Sequence, residues 1–229
     1  MARTPVGIIP DILTTPVKVT DDQRRTVAIA ASFLLDYPDD DFEAKIAAVD
    51  KHIDTLPPAI AAEVAAFTDA ARTLGRRGLE EHYVETFDQR RRCSLYLSYY
   101  SVGDTRQRGT AILAFRQALE QLGFEEQREE LPDHLCVVLE AVARSDGEQH
   151  AQTVEMLAAH RDGLEVLRSA LQQQNSPFAH LIIAVAMSLP QIDADTAHSY
   201  LDLIRSGPPA ELVGIGTPLP FPTAHLESS

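Results

Sequence analysis

Residues 20–206 are predicted to form one all-α domain, a single helical bundle of roughly nine to ten helices. Three observations carry that prediction. Apolar residues return every third or fourth position in one stretch after another, the spacing that lays them along one helix face. Alanine, leucine, glutamate and glutamine dominate those stretches and favour helix, while glycine is scarce at 11 of 229 residues. The joints between stretches are short and marked by proline or glycine, and no repeat, low-complexity block or long linker divides the domain.

Residues 1–19 contain Pro5, Pro10 and Pro16 and no period, so a flexible or loosely docked arm is expected there. Thr20, Asp21 and Asp22 start a first helix, carried by Val27, Ala30, Ala31 and Leu34 and stopped at Pro38. A second helix is expected over 41–55, with Phe42, Ile46, Val49 and Ile53 as its stripe. Pro57 and Pro58 open a third, which Gly75 and Gly78 end. A fourth, over 79–88, stacks Tyr83 and Phe87 on one face. Residues 89–103 read as helix or irregular turn: Leu95, Leu97 and Tyr99 alternate like a strand, but no partner strand is visible.

Asp104 or Thr105 caps a fifth helix with Ile112, Phe115, Leu119 and Leu122 inward and Gly123 at its end. The acidic run 125–130 reads as a solvated connection. Pro132 is expected in the first turn of a sixth helix, where its missing N–H costs nothing, with Asp133 at the positive end of the helix dipole. The run LCVVLEAVA is apolar almost all round, which predicts a central position. A seventh helix or helix pair spans 148–173 with a break at Gly163, an eighth spans 177–189 and a ninth 195–205. The tail, 207–229, is rich in glycine and proline and is expected to be flexible.

The 34 acidic against 20 basic residues leave a formal net charge of −14. That argues against a nucleic-acid partner, whose affinity rests on cationic contacts to phosphate, and suits a neutral or basic one. No stretch reaches the about 18 apolar residues that span a bilayer. The N-terminus lacks the apolar core of a secretory signal, so the expected location is the cytoplasm, without membrane insertion. Cys93 and Cys136 make no disulfide framework. The eight histidines form no metal-binding spacing, and there is neither a phosphate-cradling glycine loop nor a nucleophile elbow. An enzyme would have to use Cys93 as nucleophile with His82 or His134 as base. A buried structural thiol is the simpler reading.

Residues 80–109 differ from everything around them. They hold Tyr83, Tyr96, Tyr99 and Tyr100, four of the chain's six tyrosines, together with Phe87, the triplet Arg90, Arg91 and Arg92, and Cys93. Aromatics beside arginines are typical of binding surfaces, although each ring could equally be core. The arginines have ready structural partners in Glu85, Asp88 and Asp104, and they are also natural donors to phosphate. Glu140 is the only charge between His134 and Arg144, on a helix otherwise fit for the core. It needs a partner: an arginine such as Arg91 or Arg92, solvent at a groove edge, or a ligand peptide.

The stretch YVETFDQRRRCSLYLSYYSVGDTRQRG, residues 83–109, resembles the central motif of the respiratory nitrate reductase assembly chaperones, the NarJ branch of the TorD-like redox-enzyme maturation proteins. Leu131-Pro132-Asp133-His134-Leu135, followed by Leu139-Glu140, resembles that family's Pro-Asp-His-Leu block. The resemblance covers about residues 20–205 and implies a TorD-like all-helical fold without catalytic activity. It also implies a partner: the molybdoenzyme catalytic subunit, the nitrate reductase alpha chain, bound through its N-terminal segment. The chaperone would hold the apo-enzyme for molybdenum cofactor insertion before membrane docking. It would bind no cofactor stably, and transient contact with molybdopterin guanine dinucleotide on the client stays open. A dimethyl sulfoxide or trimethylamine oxide reductase is the alternative client.

The mechanism expected from these residues is capture of an amphipathic helix in a groove. Tyr83, Phe87, Tyr96 and Tyr99 would line it, and Glu80, Glu81, Glu85 and Asp88 would meet basic residues of the peptide. Arg91, Arg92, Asp104, Pro132, Asp133, His134 and Glu140 would form or brace a second wall. An unperturbed His134 would make release pH-sensitive.

Overall fold

The Thr20 hydroxyl accepts the Gln23 N–H at 3.2 Å, and the Gln23 side chain accepts the Thr20 N–H at 3.0 Å. This capping box starts α1 (Asp21–Leu34) as its sequence predicts. The computed structural model describes residues 4–124 and 130–206, and among them are ten α-helices and no strand. The all-α expectation holds. The flexible tail expected over 207–229 and most of the acidic connection lie outside the described residues.

After α1 come α2 (Phe42–Asp50), a 3-10 turn at Ile53–Thr55, and α3 (Pro58–Tyr83). The second predicted helix is thus cut short, with Phe42, Ile46 and Val49 buried and Ile53 beyond the break. The third and fourth predicted helices run together as α3 across a kink at Gly75, whose φ of 67° only glycine adopts without strain. Gly78 is an ordinary helical residue. One π-turn, Val84–Asp88, ends this element, and a 3-10 turn at Arg91–Cys93 leads to α4 (Leu97–Val102) and α5 (Gln107–Gln121). In α5 the buried face is Ala111, Ala114, Phe115 and Leu119, and Ile112 and Leu122 are only partly covered.

The sixth helix, α6 (Leu135–Arg144), begins later than predicted. His134 is its N-cap, so Pro132 and Asp133 lie in the turn before it rather than in its first turn. The long seventh segment divides into α7 (Gly147–Ala159) and α8 (Arg161–Gln172) at His160, three residues before the expected break. Gly163 has a different task. A Cβ there would stand 2.8 Å from the Cβ of Tyr100, so its bare backbone lets α8 close on α4. The chain continues as α9 (Phe178–Ser188) and α10 (Ala194–Ser206).

The central helix is α9, not α6. It packs against α1, α3 and α8, and Phe178, Leu181, Ile182, Ala184, Val185 and Ala186 are buried around its circumference. By contrast α6 lies between α1 and α7 and keeps Glu140 and Arg144 on an open face. A second layer forms where α10 meets α4, α5 and α7.

Residues 4–19 run along this body without regular structure. The Thr14 N–H donates to Glu165 Oε1 at 2.8 Å, and Arg161 and Arg168 donate to the carbonyls of Thr14 and Ile12 at 2.7 and 2.8 Å. The Val17 N–H adds a bond to the Met187 carbonyl at 2.8 Å. Val6, Ile9, Val17 and Val19 pack on the core, while Ile12 stays 83% exposed.

Candidate functional site

The two unusual sequence blocks meet. Leu97 N–H donates to the Asp133 carbonyl at 2.9 Å and Leu135 N–H to the Leu95 carbonyl at 2.8 Å, an isolated antiparallel bridge between Tyr96 and His134. The strand-like alternation around Leu95 therefore finds its partner in two bonds with the turn before α6. Behind the bridge the Ser98 hydroxyl donates to Asp133 Oδ2 at 2.5 Å, with both residues fully buried. Asp133 Oδ1 has no partner. Burial pushes its carboxyl above the usual range, against the Ser98 bond that lowers it.

In front of the bridge lies a cleft of about 350 Å³ lined by Tyr83, Phe87, Asp88, Arg91, Ser94, Leu95, Tyr96, Tyr99, Asp104, Arg108, Glu130 and His134. Its floor is anchored in the core. The Tyr83 and Phe87 rings meet at 4.8 Å, tilted by 56°, and both meet Phe178 of α9, at 5.7 and 4.9 Å. Tyr83 is only 8% exposed, so it is floor first and surface second. Burial pushes its hydroxyl far above the usual range, and it stays a protonated donor.

The far wall is Tyr96, whose ring stands edge-on to His134 at 5.1 Å and whose hydroxyl donates to Glu130 at 3.3 Å. Burial, then Glu130, keep that hydroxyl protonated. His134 Nδ1 accepts the Cys136 N–H at 3.3 Å and thereby caps α6. A ring nitrogen in that role carries no proton, so the cap requires Nδ1 unprotonated. The Arg108 guanidinium lies 5.0 Å over the Tyr96 ring. Arg91 reaches Asp104 across the mouth at 3.6 Å.

Of the residues expected from sequence, Tyr83, Phe87, Asp88, Tyr96, Tyr99, Arg91, Asp104 and His134 share this cleft. The others do not line it. Glu80 pairs with Arg76 at 3.5 Å, and Glu85 is exposed, its carbonyl taking Arg90 Nε at 3.2 Å. Arg92 lines a separate cleft beneath residues 4–8. Pro132 and Asp133 are buried behind the wall. Glu140 pairs with Arg144 at 3.1 Å, one turn along its own helix, rather than with Arg91 or Arg92. Arg108 and Glu130 line the cleft as well. The sequence shows a basic stretch over 106–108 and an acidic run over 125–130, but nothing in it tells which of their members turn inward.

No catalytic arrangement forms around Cys93. It is fully buried and its sulfur accepts from Gln174 at 3.1 Å, and desolvation raises its thiol above the usual range. Among the described residues no three His, Cys, Asp or Glu side chains could hold a metal ion. No described helix is long and apolar enough to cross a membrane. A larger, mostly apolar cleft of about 730 Å³ between α3 and α9 is lined by His82, the alternative base, and by none of the residues expected to bind a peptide.

Residues 53–184, which include every residue of the aromatic cleft, match the family described as nitrate reductase delta subunit. The chain is 30% identical over 194 residues to "Nitrate reductase molybdenum cofactor assembly chaperone NarJ" of Escherichia coli (strain K12), covering 80% of this chain and 79% of that protein. It is 29% identical over 174 residues to "Probable nitrate reductase molybdenum cofactor assembly chaperone NarJ" of Bacillus subtilis (strain 168), covering 76% and 92%. Over 103 residues it is 42% identical to "Nitrate reductase-like protein NarX" of Mycobacterium tuberculosis, 45% of this chain but 15% of that one. The chain thus spans a small part of NarX and most of the two NarJ proteins.

Proposed function

The chain belongs to the nitrate reductase delta subunit family, and on that footing we propose that it is an assembly chaperone for a nitrate reductase, not an enzyme. It binds the N-terminal segment of the apo catalytic subunit in the cytoplasm and holds the subunit for molybdenum cofactor insertion before membrane docking. It has no stable cofactor of its own, and any contact with molybdopterin guanine dinucleotide is transient and made on the client. Relatives that match it along most of their length carry chaperone names, which supports the class.

One observation carries the site: the bridge that joins the two motif blocks builds the wall of the aromatic cleft. Half-buried rings over a rigid core floor suit an apolar helix face, since aromatic side chains contribute large contact areas at little entropic cost. Tyr96 and Tyr99 are the accessible members of the set, whereas Tyr83 and Phe87 also support the core.

The test is affinity capture of the tagged chain from nitrate-respiring cells, comparing wild type with the Tyr96→Ala/Tyr99→Ala variant. Wild type should bring down the reductase catalytic subunit poor in cofactor, and the variant should not. Equal recovery by both, or no recovery while the reductase is expressed, would sink the proposal.

A further inference from the structure

We infer that Arg108 is the charge-reading residue of the cleft, and that it takes a carboxylate, an Asp or Glu side chain, on the bound segment. This rests on the reading that the cleft holds a client segment. Arg108 stands in the cleft wall with its guanidinium over the Tyr96 ring. Its Nε is buried and has no hydrogen-bond partner, and the guanidinium makes no ion pair among the described residues. Stacking fixes the plane of the group, and a guanidinium held in this way receives a carboxylate through two parallel bonds from its terminal nitrogens.

The other charges around the cleft do not answer this need. Asp104 reaches Arg91, and Glu130 takes the Tyr96 hydroxyl without pairing with Arg108. Asp133 lies behind the bridge, bound to Ser98 through Oδ2, and its own Oδ1 is unpartnered. The attraction between Arg108 and Asp133 favours the inward-facing guanidinium but leaves both buried atoms without a hydrogen bond. The helix that supplies Arg108 has no acid in its first turn to take its place.

Asp88, next to Phe87 in the chain, also lines the cleft, is exposed and makes no ion pair among the described residues. The cleft therefore offers a cation beside Tyr96 and an anion beside Phe87. A segment carrying both an acidic and a basic residue beside its apolar face matches both. The expectation from sequence is an amphipathic peptide whose basic residues meet a ring of acids, but Glu80 and Glu81 are taken by Arg76 and Arg77.

The experiment is fluorescence anisotropy with a labelled synthetic peptide, the N-terminal segment of the nitrate reductase catalytic subunit encoded by the same genome. Each Asp or Glu of the peptide is replaced in turn by Asn or Gln, and each peptide is titrated with wild type, Arg108→Gln and Arg108→Lys. Arg108→Gln should weaken the natural peptide about tenfold, and one amide peptide should bind wild type about tenfold more weakly. With that peptide the substitution should cost nothing more. Arg108→Lys should recover only part of the affinity, because it lacks the fork.

An equal loss with every peptide, or none, overturns the inference. Should Arg108→Gln fail to fold, the amide peptides against wild type still decide it, and no sensitive carboxylate means the inference is wrong. If Tyr96→Ala/Tyr99→Ala abolishes binding while no charge matters, only the Arg108 inference falls. If wild type binds no peptide at all, the segment reading falls with it.

Discussion

The Ser98 hydroxyl donates to Asp133 Oδ2 in a place that water does not reach, and it fastens α4 to the turn that leads into α6. The two residues are 35 positions apart and lie in different sequence blocks. Their bond backs the Tyr96–His134 bridge, so the cleft wall depends on a buried polar contact as well as on apolar packing. Ser98→Ala leaves a buried carboxyl without its one side-chain donor and should cost about 1–3 kcal/mol in urea unfolding. Asp133→Asn should cost less, because the amide oxygen still accepts and no charge is buried. An acid raised by burial stabilises the fold most below its unfolded pKa, and that contribution is lost as pH rises through its folded pKa. The Asn variant should therefore lose less stability than wild type as the pH is raised from acid.

Gly163→Ala places a methyl against the Tyr100 Cβ, a point fixed by backbone on both sides. The expected cost is about 1–3 kcal/mol, read as a lower thermal midpoint, because neither α4 nor α8 can yield without disturbing the core. The Tyr100 hydroxyl, bonded to the Ser94 carbonyl at 2.8 Å, would shift with it and loosen the loop that carries Tyr96. An unchanged midpoint would show that the helices adjust freely.

His160 sets an acid limit on stability. Its Nδ1 is 2.9 Å from the Met156 carbonyl and so donates, its Nε2 is buried without a partner, and its ring lies 5.1 Å from Phe115. A second proton would have no acceptor, and desolvation lowers the group from 6.5 to about 4. For a depressed pKa the stabilisation is full above the unfolded value and is lost as pH falls toward the folded one. Between pH 6.5 and 4 the loss should approach about 3 kcal/mol. His160→Gln should be less stable at pH 7 and should show a flatter profile across that window in denaturant titrations.

Cys93 should be inert in the native protein. Iodoacetamide should label it only after denaturation, and Cys93→Ala cells should mature nitrate reductase as wild type does. Loss of maturation by a folded Cys93→Ala protein would reopen the nucleophile reading.

Much of this architecture is written locally. The Thr20 cap, the proline that opens α3, the glycine kink within it and the apolar run of α9 follow from rules that act over a few residues. Tertiary choices were harder. Residues 89–103 take shape only through the Tyr96–His134 bridge, which no local pattern announces. The break before α8 falls at His160, whose main chain caps both flanking helices and whose ring is bound to the Met156 carbonyl, while Gly163 is kept for contact with α4. The site was legible as composition, since the aromatic block and the Pro132–His134 block both contribute to one cleft or its support. Its charges were not: Glu80, Glu81 and Glu140 are held by arginines four positions away, and Arg108 stands out only once Tyr96 is seen beneath it.

The most direct measurement is isothermal titration of the purified chain with the N-terminal segment of its reductase catalytic subunit, beside the Tyr96→Ala/Tyr99→Ala variant checked for native circular dichroism. Saturable binding by wild type, weakened at least about tenfold in the variant, is the predicted result, given what aromatic anchors contribute to interfaces. Equal affinity in the folded variant would place the binding surface elsewhere and contradict the assignment of this cleft.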